Sequence, residues 1–294
     1  MSKRHWNGGY CADRGLAGPG WPWRSYPRCV GVAEVHQDRA RAESFGALAQ
    51  QYDRYRPAYP DALLDALAAL GPMQVLDVGC GTGKVAVALA RRGLSVLGVE
   101  VDERMAEVAR GYGVAVEIAA FETWQDAGRQ FDLITCADAW HWIDPALGIP
   151  KAARVLRVGG TMALFRNSSV VDEPVIAAFD AVYRRHAPEV TQVWRPTGRK
   201  AHVGGHAFSD SAAGDLFADN DAFSSVEART YQWERTLSAD EWVGLAATVS
   251  DHQRLGPERL TTLLQALHAM IQTLGGTVHT HDETHVLLAR RAVR

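Results

Sequence analysis

Three glycines at alternate positions, Gly79, Gly81 and Gly83, break an otherwise apolar stretch, and a carboxylate, Glu100, follows 17 residues after the last of them. Glycine at such spacing lets the chain turn through dihedrals that other residues resist, and it lets a ligand approach the backbone with no Cβ in the way. Ahead of the turn, Val75, Leu76 and Val78 flank Asp77 in a short run of strand type, and behind it Lys84–Ala90 has helical spacing. Strand, glycine turn and helix in that order open a nucleotide-binding βα unit. The next apolar run, from Leu94 on, ends in Glu100, where a carboxylate accepts hydrogen bonds from both ribose hydroxyls of an adenosine ligand. The spacing is GxGxG with no Gly-Lys-Ser/Thr after it, so neither the dinucleotide nor the P-loop pattern fits. A plain α/β turn without a ligand is the competing reading.

Four further groups carry candidate chemistry. Tyr52, Arg56 and Tyr59 cluster just before the first strand, either as a surface turn or as a segment folded over the ligand, with Arg56 near its carboxylate. His141, between Trp140 and Trp142 past the fourth strand, is a candidate general base; the alternative is a histidine that braces two tryptophans. Ser250, Asp251 and His252 are adjacent and so cannot converge as a hydrolase triad does, which leaves them to shape a cap or an acceptor pocket. His202, His206, His279, His281 and His285 have no carboxylate or cysteine set at metal-binding spacing, so no metal is expected.

The elements that must position these groups alternate. Strands are expected at 75–78, 94–100, 114–118, 130–136 and 161–166, with helices between, which gives a parallel, doubly wound α/β sheet with its ligands at the strands' carboxyl ends. Residues 167–222 break the alternation and are expected to form a cap insertion; strands at 223–237 and 284–290, with helices between them, complete seven strands. Glu100 is expected to sit at the open edge and carry none of the core. Residues 1–38, rich in glycine and proline and lacking the continuous apolar core of a secretory signal, are expected to be a disordered extension to the 39–294 domain.

Composition narrows the class. The 294 residues are 47% hydrophobic and 22% charged, which suits a globular chain with a full core. A net charge of −3 gives no electrostatic support for nucleic-acid binding. No apolar run is long enough for a membrane span, and the four cysteines lack metal or disulfide clustering, so a cytoplasmic protein with reduced thiols is expected.

From about Phe45 onward the chain resembles the class I S-adenosylmethionine (SAM)-dependent methyltransferases, and within them the type 11 group that includes trans-aconitate methyltransferases. The shared features are Tyr52-x3-Arg56-Pro-x-Tyr59-Pro, Asp77-Val-Gly-Cys-Gly-Thr-Gly83, Glu100, Ala139-Trp-His-Trp-Ile-Asp144 and the Val155-Leu-Arg-Val-Gly-Gly160 turn. The resemblance implies SAM as cofactor and a small-molecule methyl acceptor, a carboxylate or hydroxyl. It implies that Asp77 and the turn Gly79, Cys80, Gly81 and Gly83 hold the methionine end and that Glu100, with Val101 beside it, holds the ribose. Phe121 would meet the adenine through its backbone, Cys136 and Ala137 would pass near the methionine moiety, and Tyr52 and Arg56 would close over the ligand. Relatives often carry an acid where this chain has Ala120. A nicotinamide oxidoreductase and a SAM-binding protein without catalysis are the alternatives.

Overall fold

The computed structural model describes residues 44–190, 216–217 and 220–292; the expected extension over 1–38 and much of the expected cap lie outside these. A 3-10 turn (Ser44–Leu48) leads into α1 (Ala49–Tyr55) and α2 (Asp61–Ala68). The βα units follow as β1 (Gln74–Val78), α3 (Lys84–Ala90), β2 (Ser95–Glu100), α4 (Glu103–Gly111), β3 (Ala115–Ile118) and β4 (Phe131–Ala137). Then come α5 (Pro145–Val155), β5 (Leu156–Val171), α6 (Glu173–His186), β6 (Phe223–Ser238), α7 (Ala239–Ala247), α8 (Ser250–Gln253), α9 (Pro257–Thr273) and β7 (Thr277–Arg291).

The seven strands form one sheet in the order β3-β2-β1-β4-β5-β7-β6. β1 to β5 pair in parallel, and β7 runs antiparallel to both β5 and β6. The mostly parallel, doubly wound sheet expected from the alternation of elements is therefore present. Strand order reverses between β1 and β4, and open α/β sheets leave a ligand crevice at that point, beyond the strands' carboxyl ends.

Side-chain alternation explains why the strands are apolar on both faces. Val75, Leu133, Ala163, Phe165 and Val286 point to one layer, where α2 and α3 cover them. Their neighbours Leu76, Ile134, Met162, Leu164 and Leu287 point to the other, against Ile149, Ala152 and Val155 of α5. Burial of this kind contributes about 25 cal/mol per Å² of apolar surface removed from water.

Two expectations need correction. The fifth strand continues to Val171, so residues 167–171 belong to the sheet and not to a cap. The closing strand begins at Thr277, seven residues before the expected start. Both extensions run past Ala137, the last residue of β4, and stand above the sheet's carboxyl edge. Phe179, Tyr183, Trp242, Leu263, Leu267 and Ile271, from α6, α7 and α9, pack on Val171 and Val278 there as a second core. Among the described residues no helix is long and apolar enough to cross a membrane.

Candidate active site

The glycine turn lies where β1 meets α3. Gly79, Gly81 and Gly83 have φ of +64°, +55° and +85°, in the left-handed region that side chains resist. A Cβ on Gly79 would stand 2.5 Å from the Ala139 Cβ, and one on Gly83 3.0 Å from the Ala109 Cβ. One on Gly81 would meet nothing nearer than the Met105 methyl at 3.4 Å, so Gly81 is required by backbone conformation and faces comparatively open space.

Glu100 secures this turn. Its Oε2 accepts from the Gly81 N–H at 2.9 Å, and its Oε1 accepts from Val101 and Asp102 at 2.9 and 3.0 Å. The residue is only 8% exposed, so the expectation of a carboxylate at the open edge needs correction: it is buried and braces the turn. Burial pushes its carboxyl above the usual range, while the three amides pull the other way. A carboxylate has about four lone-pair sites, so about one remains for a ligand hydroxyl.

Asp77, next to last in β1, lies beside Thr135 of β4, whose hydroxyl donates to its Oδ1 at 2.7 Å. The side chain is 1% exposed and its Oδ2 has no hydrogen-bond partner. Burial raises its pKa to about 7, against the opposing pull of Thr135 and the Ala86 amide. A buried carboxylate short of partners is costly when charged, and a cation brought beside it relieves that cost.

At the end of β4, Asp138 adopts φ +50°, a left-handed conformation that aspartate tolerates better than most residues. Its Oδ2 accepts from the Tyr59 hydroxyl at 2.8 Å and from the Asn167 N–H at 3.3 Å. Burial raises its carboxyl, and Arg166 next opposes that. The Tyr52 phenol is raised by burial, opposed by Arg56 and reinforced by Asp138 and Glu100, so it stays neutral beside them.

The segment before β1 does fold against this edge. Phe45 packs edge-on against Tyr52 and Trp142, with ring centroids 5.8 and 6.2 Å away. Arg56 donates from Nε to the Thr248 Oγ1 at 2.8 Å and from Nη2 to the Thr248 carbonyl at 3.0 Å, tying the segment to the end of α7. Its guanidinium also lies 5.2 Å from the centre of the Tyr52 ring.

Asp77, Gly79, Gly81, Glu100 and Val101 therefore surround one turn. The side chains of several other expected site residues are engaged elsewhere. Cys80 turns its thiol into the small core between α3 and α4, Cys136 lies in the main core, and burial raises both thiols well above their usual range. Phe121 is buried beside Trp124 and Trp140, with the Lys151 ammonium 5.5 Å from its ring centre. The Val101 N–H is committed to Glu100, and Ala137 is the half-buried last residue of β4. His141 is exposed, its ring 4.8 Å from that of Trp142. His252 shapes no open pocket: it is fully buried, its Nδ1 donating to the Ala246 carbonyl at 2.7 Å and its Nε2 accepting from the Tyr183 hydroxyl at 3.1 Å.

Sequence reasoning missed the Thr135 hydroxyl under Asp77 and the Thr248 anchor of Arg56. It also missed the indole N–H of Trp140, which is buried without a partner. None of the three left a signal in the sequence, because each depends on which elements come to lie side by side.

Residues 75–160 match the family model of a methyltransferase domain. An uncharacterised methyltransferase of Mycobacterium tuberculosis is 39% identical over 128 residues, 42% of this chain and 52% of the relative. A ubiquinone biosynthesis O-methyltransferase of Pseudomonas aeruginosa is 35% identical over 144 residues, 43% of this chain and 62% of the relative. The matched part thus spans about half to three-fifths of the length of these relatives. A solved structure, provisionally assigned as a type II methyltransferase from Anaeromyxobacter dehalogenans, superposes with a TM-score of 0.57 at 24% identity, covering 82% of this chain and 100% of that one. At that identity the likeness speaks for the fold. Glycine turn, sheet order and sequence match agree: residues 75–160 are a methyltransferase domain, carried on the seven-stranded sheet of the class I methyltransferase fold.

Proposed function

We propose that the protein moves a methyl group from SAM to a small-molecule acceptor bearing a carboxylate or hydroxyl. The observation that carries the reading is the Asp77 Oδ2, a buried carboxylate oxygen without a partner beside a turn of bare glycines. The ammonium of an amino-acid moiety meets that need, and the bare backbone lets such a group come close. Asp77 and the glycines would hold the methionine end, Glu100 would offer its remaining lone pair to the ribose, and the Phe121 backbone would border the adenine.

When bound, SAM supplies a methyl carbon already activated by the positive charge on its sulfur. The chain's own part is to align the acceptor and exclude water. Phe45, Tyr52 and Trp142 form an aromatic edge that does the excluding, and the Tyr59–Asp138 pair orients the acceptor at the end of β4. A carboxylate acceptor needs no base. A hydroxyl acceptor loses a proton, and His141, past the end of β4, is the base we assign to take it.

The likeness of the Tyr52–Pro60 segment to trans-aconitate-type enzymes supports a carboxylate; the O-methyltransferase relatives support oxygen as the acceptor atom. The test is incubation with methyl-labelled SAM and a panel of carboxylic acids and phenols. Expected is label in an O-methyl product with equimolar S-adenosylhomocysteine. If no acceptor yields labelled product while SAM still raises the melting temperature, the protein binds SAM without catalysis.

A further inference from the structure

Residues 279–281 read His-Thr-His, and a strand sends alternate side chains to one face, so both histidines project on the same side of β7. The antiparallel register sets Glu234 of β6 directly opposite His281, and Thr236 opposite His279. A carboxylate thus arrives from 45 residues away in sequence, which is why spacing alone gave no sign of it. One ligand atom from each of Glu234, His279 and His281 lies within 4.8 Å of the other two.

The atoms are close to a coordination polyhedron. The Glu234 Oε1 is 3.2 Å from the His281 Nδ1, and its Oε2 is 3.7 Å from the His279 Nε2. Ligands about 2.0–2.1 Å from a tetrahedral zinc stand about 3.3 Å from one another, so small side-chain rotations close the set.

The outer ring nitrogens supply the second, independent observation. The His279 Nδ1 is 3.3 Å from the Thr236 Oγ1, and the His281 Nε2 is 3.5 Å from an Asp172 carboxylate oxygen. A histidine that ligates a metal through one nitrogen characteristically donates from the other to a hydroxyl or carboxylate, which fixes its tautomer and orientation. Here both histidines have such a partner, and in both the nitrogen facing Glu234 is the one left for a metal.

The geometry points to a binding site for a divalent transition cation, zinc or a metal of similar preference, held by Glu234, His279 and His281 with Asp172 and Thr236 as supporting groups. All three ligands reach solvent, so a cation enters without unfolding, and water completes the fourth position. The site sits on the upper halves of β6 and β7, beyond the end of β4 and apart from the residues assigned to methyl transfer. A bound ion would staple the outer strand pair to the start of α6, where Asp172 is the N-cap residue.

Cobalt is the direct probe, because tetrahedral Co2+ absorbs visibly where its hydrated ion scarcely does. Chelator-stripped full-length protein titrated with Co2+ should develop that band with an endpoint of one equivalent, and Zn2+ should abolish it. His279→Ala and His281→Ala should each remove the band, and Glu234→Gln, which keeps the side chain's shape, should weaken binding at least tenfold. Thr236→Val should weaken it about tenfold through lost support. His268→Ala is the control, since that histidine contacts Asp240 instead, at 3.1 Å. The assignment is overturned if no band forms at equimolar metal, or if the band survives both the His279 and His281 substitutions. Neither outcome bears on SAM binding, which thermal shift reads separately.

Discussion

Replacing Glu100 by alanine removes the acceptor of three backbone N–H groups at once, those of Gly81, Val101 and Asp102. An orphaned buried donor costs about 1–3 kcal/mol. Water reaches part of the vacated space at the sheet's edge, so a total loss of roughly 2–5 kcal/mol is expected, below the sum of three full penalties. Glu100→Gln keeps one oxygen, enough for Val101 and Asp102, and turns its amide N–H2 toward the Gly81 N–H; losing that one bond should cost about 1–2 kcal/mol. Because Gly81 then loses its anchor, S-adenosylhomocysteine affinity should fall at least tenfold in the alanine variant, with glutamine intermediate. Urea unfolding gives the first quantity and isothermal titration calorimetry the second. Unaltered stability in Glu100→Ala would refute the three-bond turn. Lost stability with unchanged affinity in whatever protein remains folded would make Glu100 a brace and remove it from the ligand site.

The raised pKa of Asp77, about 7, implies that the ligand-free protein holds a proton there from about pH 4 to 7. Its contribution to stability is therefore fully present below pH 4 and lost as pH rises through 7, so Asp77→Asn should make ligand-free stability less dependent on pH over that window. A cationic ligand lowers the pKa again, so SAM binding near pH 6.5 should release a proton, read as a dependence of binding enthalpy on buffer ionisation, and Asp77→Asn should abolish the release. Gly79→Ala, whose Cβ would stand 2.5 Å from that of Ala139 at φ +64°, should lower the melting temperature and weaken ligand binding, whereas Gly81→Ala should cost less stability; the reverse order in paired melting curves would contradict the packing argument. Tyr183→Phe removes the donor to the buried His252 Nε2 and should cost about 1–2 kcal/mol in urea unfolding with the rest of the second core intact. A neutral result there would mean that water replaces the phenol.

The parallel half of the fold was legible because it obeys simple periodicities. β1, β2 and β4 are short apolar runs, the glycines punctuate the first turn, and Asp102 caps α4 through the Arg104 N–H as its residue type suggests. The upper reaches of β5 and β7 were not legible, because their buried faces carry polar residues. Thr280 and Asp282 are 0% and 1% exposed, and what permits this is Arg235 of β6, whose guanidinium donates to both Asp282 oxygens at 2.9 Å. Ser168 is likewise buried, against His285. Such burial is favourable only with a partner from another strand, and pairing of that range leaves no local trace. The same limit hid the load on Glu100: the sequence placed a carboxylate at the end of β2 for a ligand, while its three nearest donors belong to the backbone around it.

The most direct measurement of the central claim is calorimetric titration of the full-length protein with S-adenosylhomocysteine, with NADH in parallel under the same conditions. One equivalent of S-adenosylhomocysteine should bind, Gly81→Val should abolish the heat, and NADH should give none. Binding of NADH, or S-adenosylhomocysteine binding that survives the valine at the turn, would contradict the assignment of this edge of the sheet as the methyl-donor site.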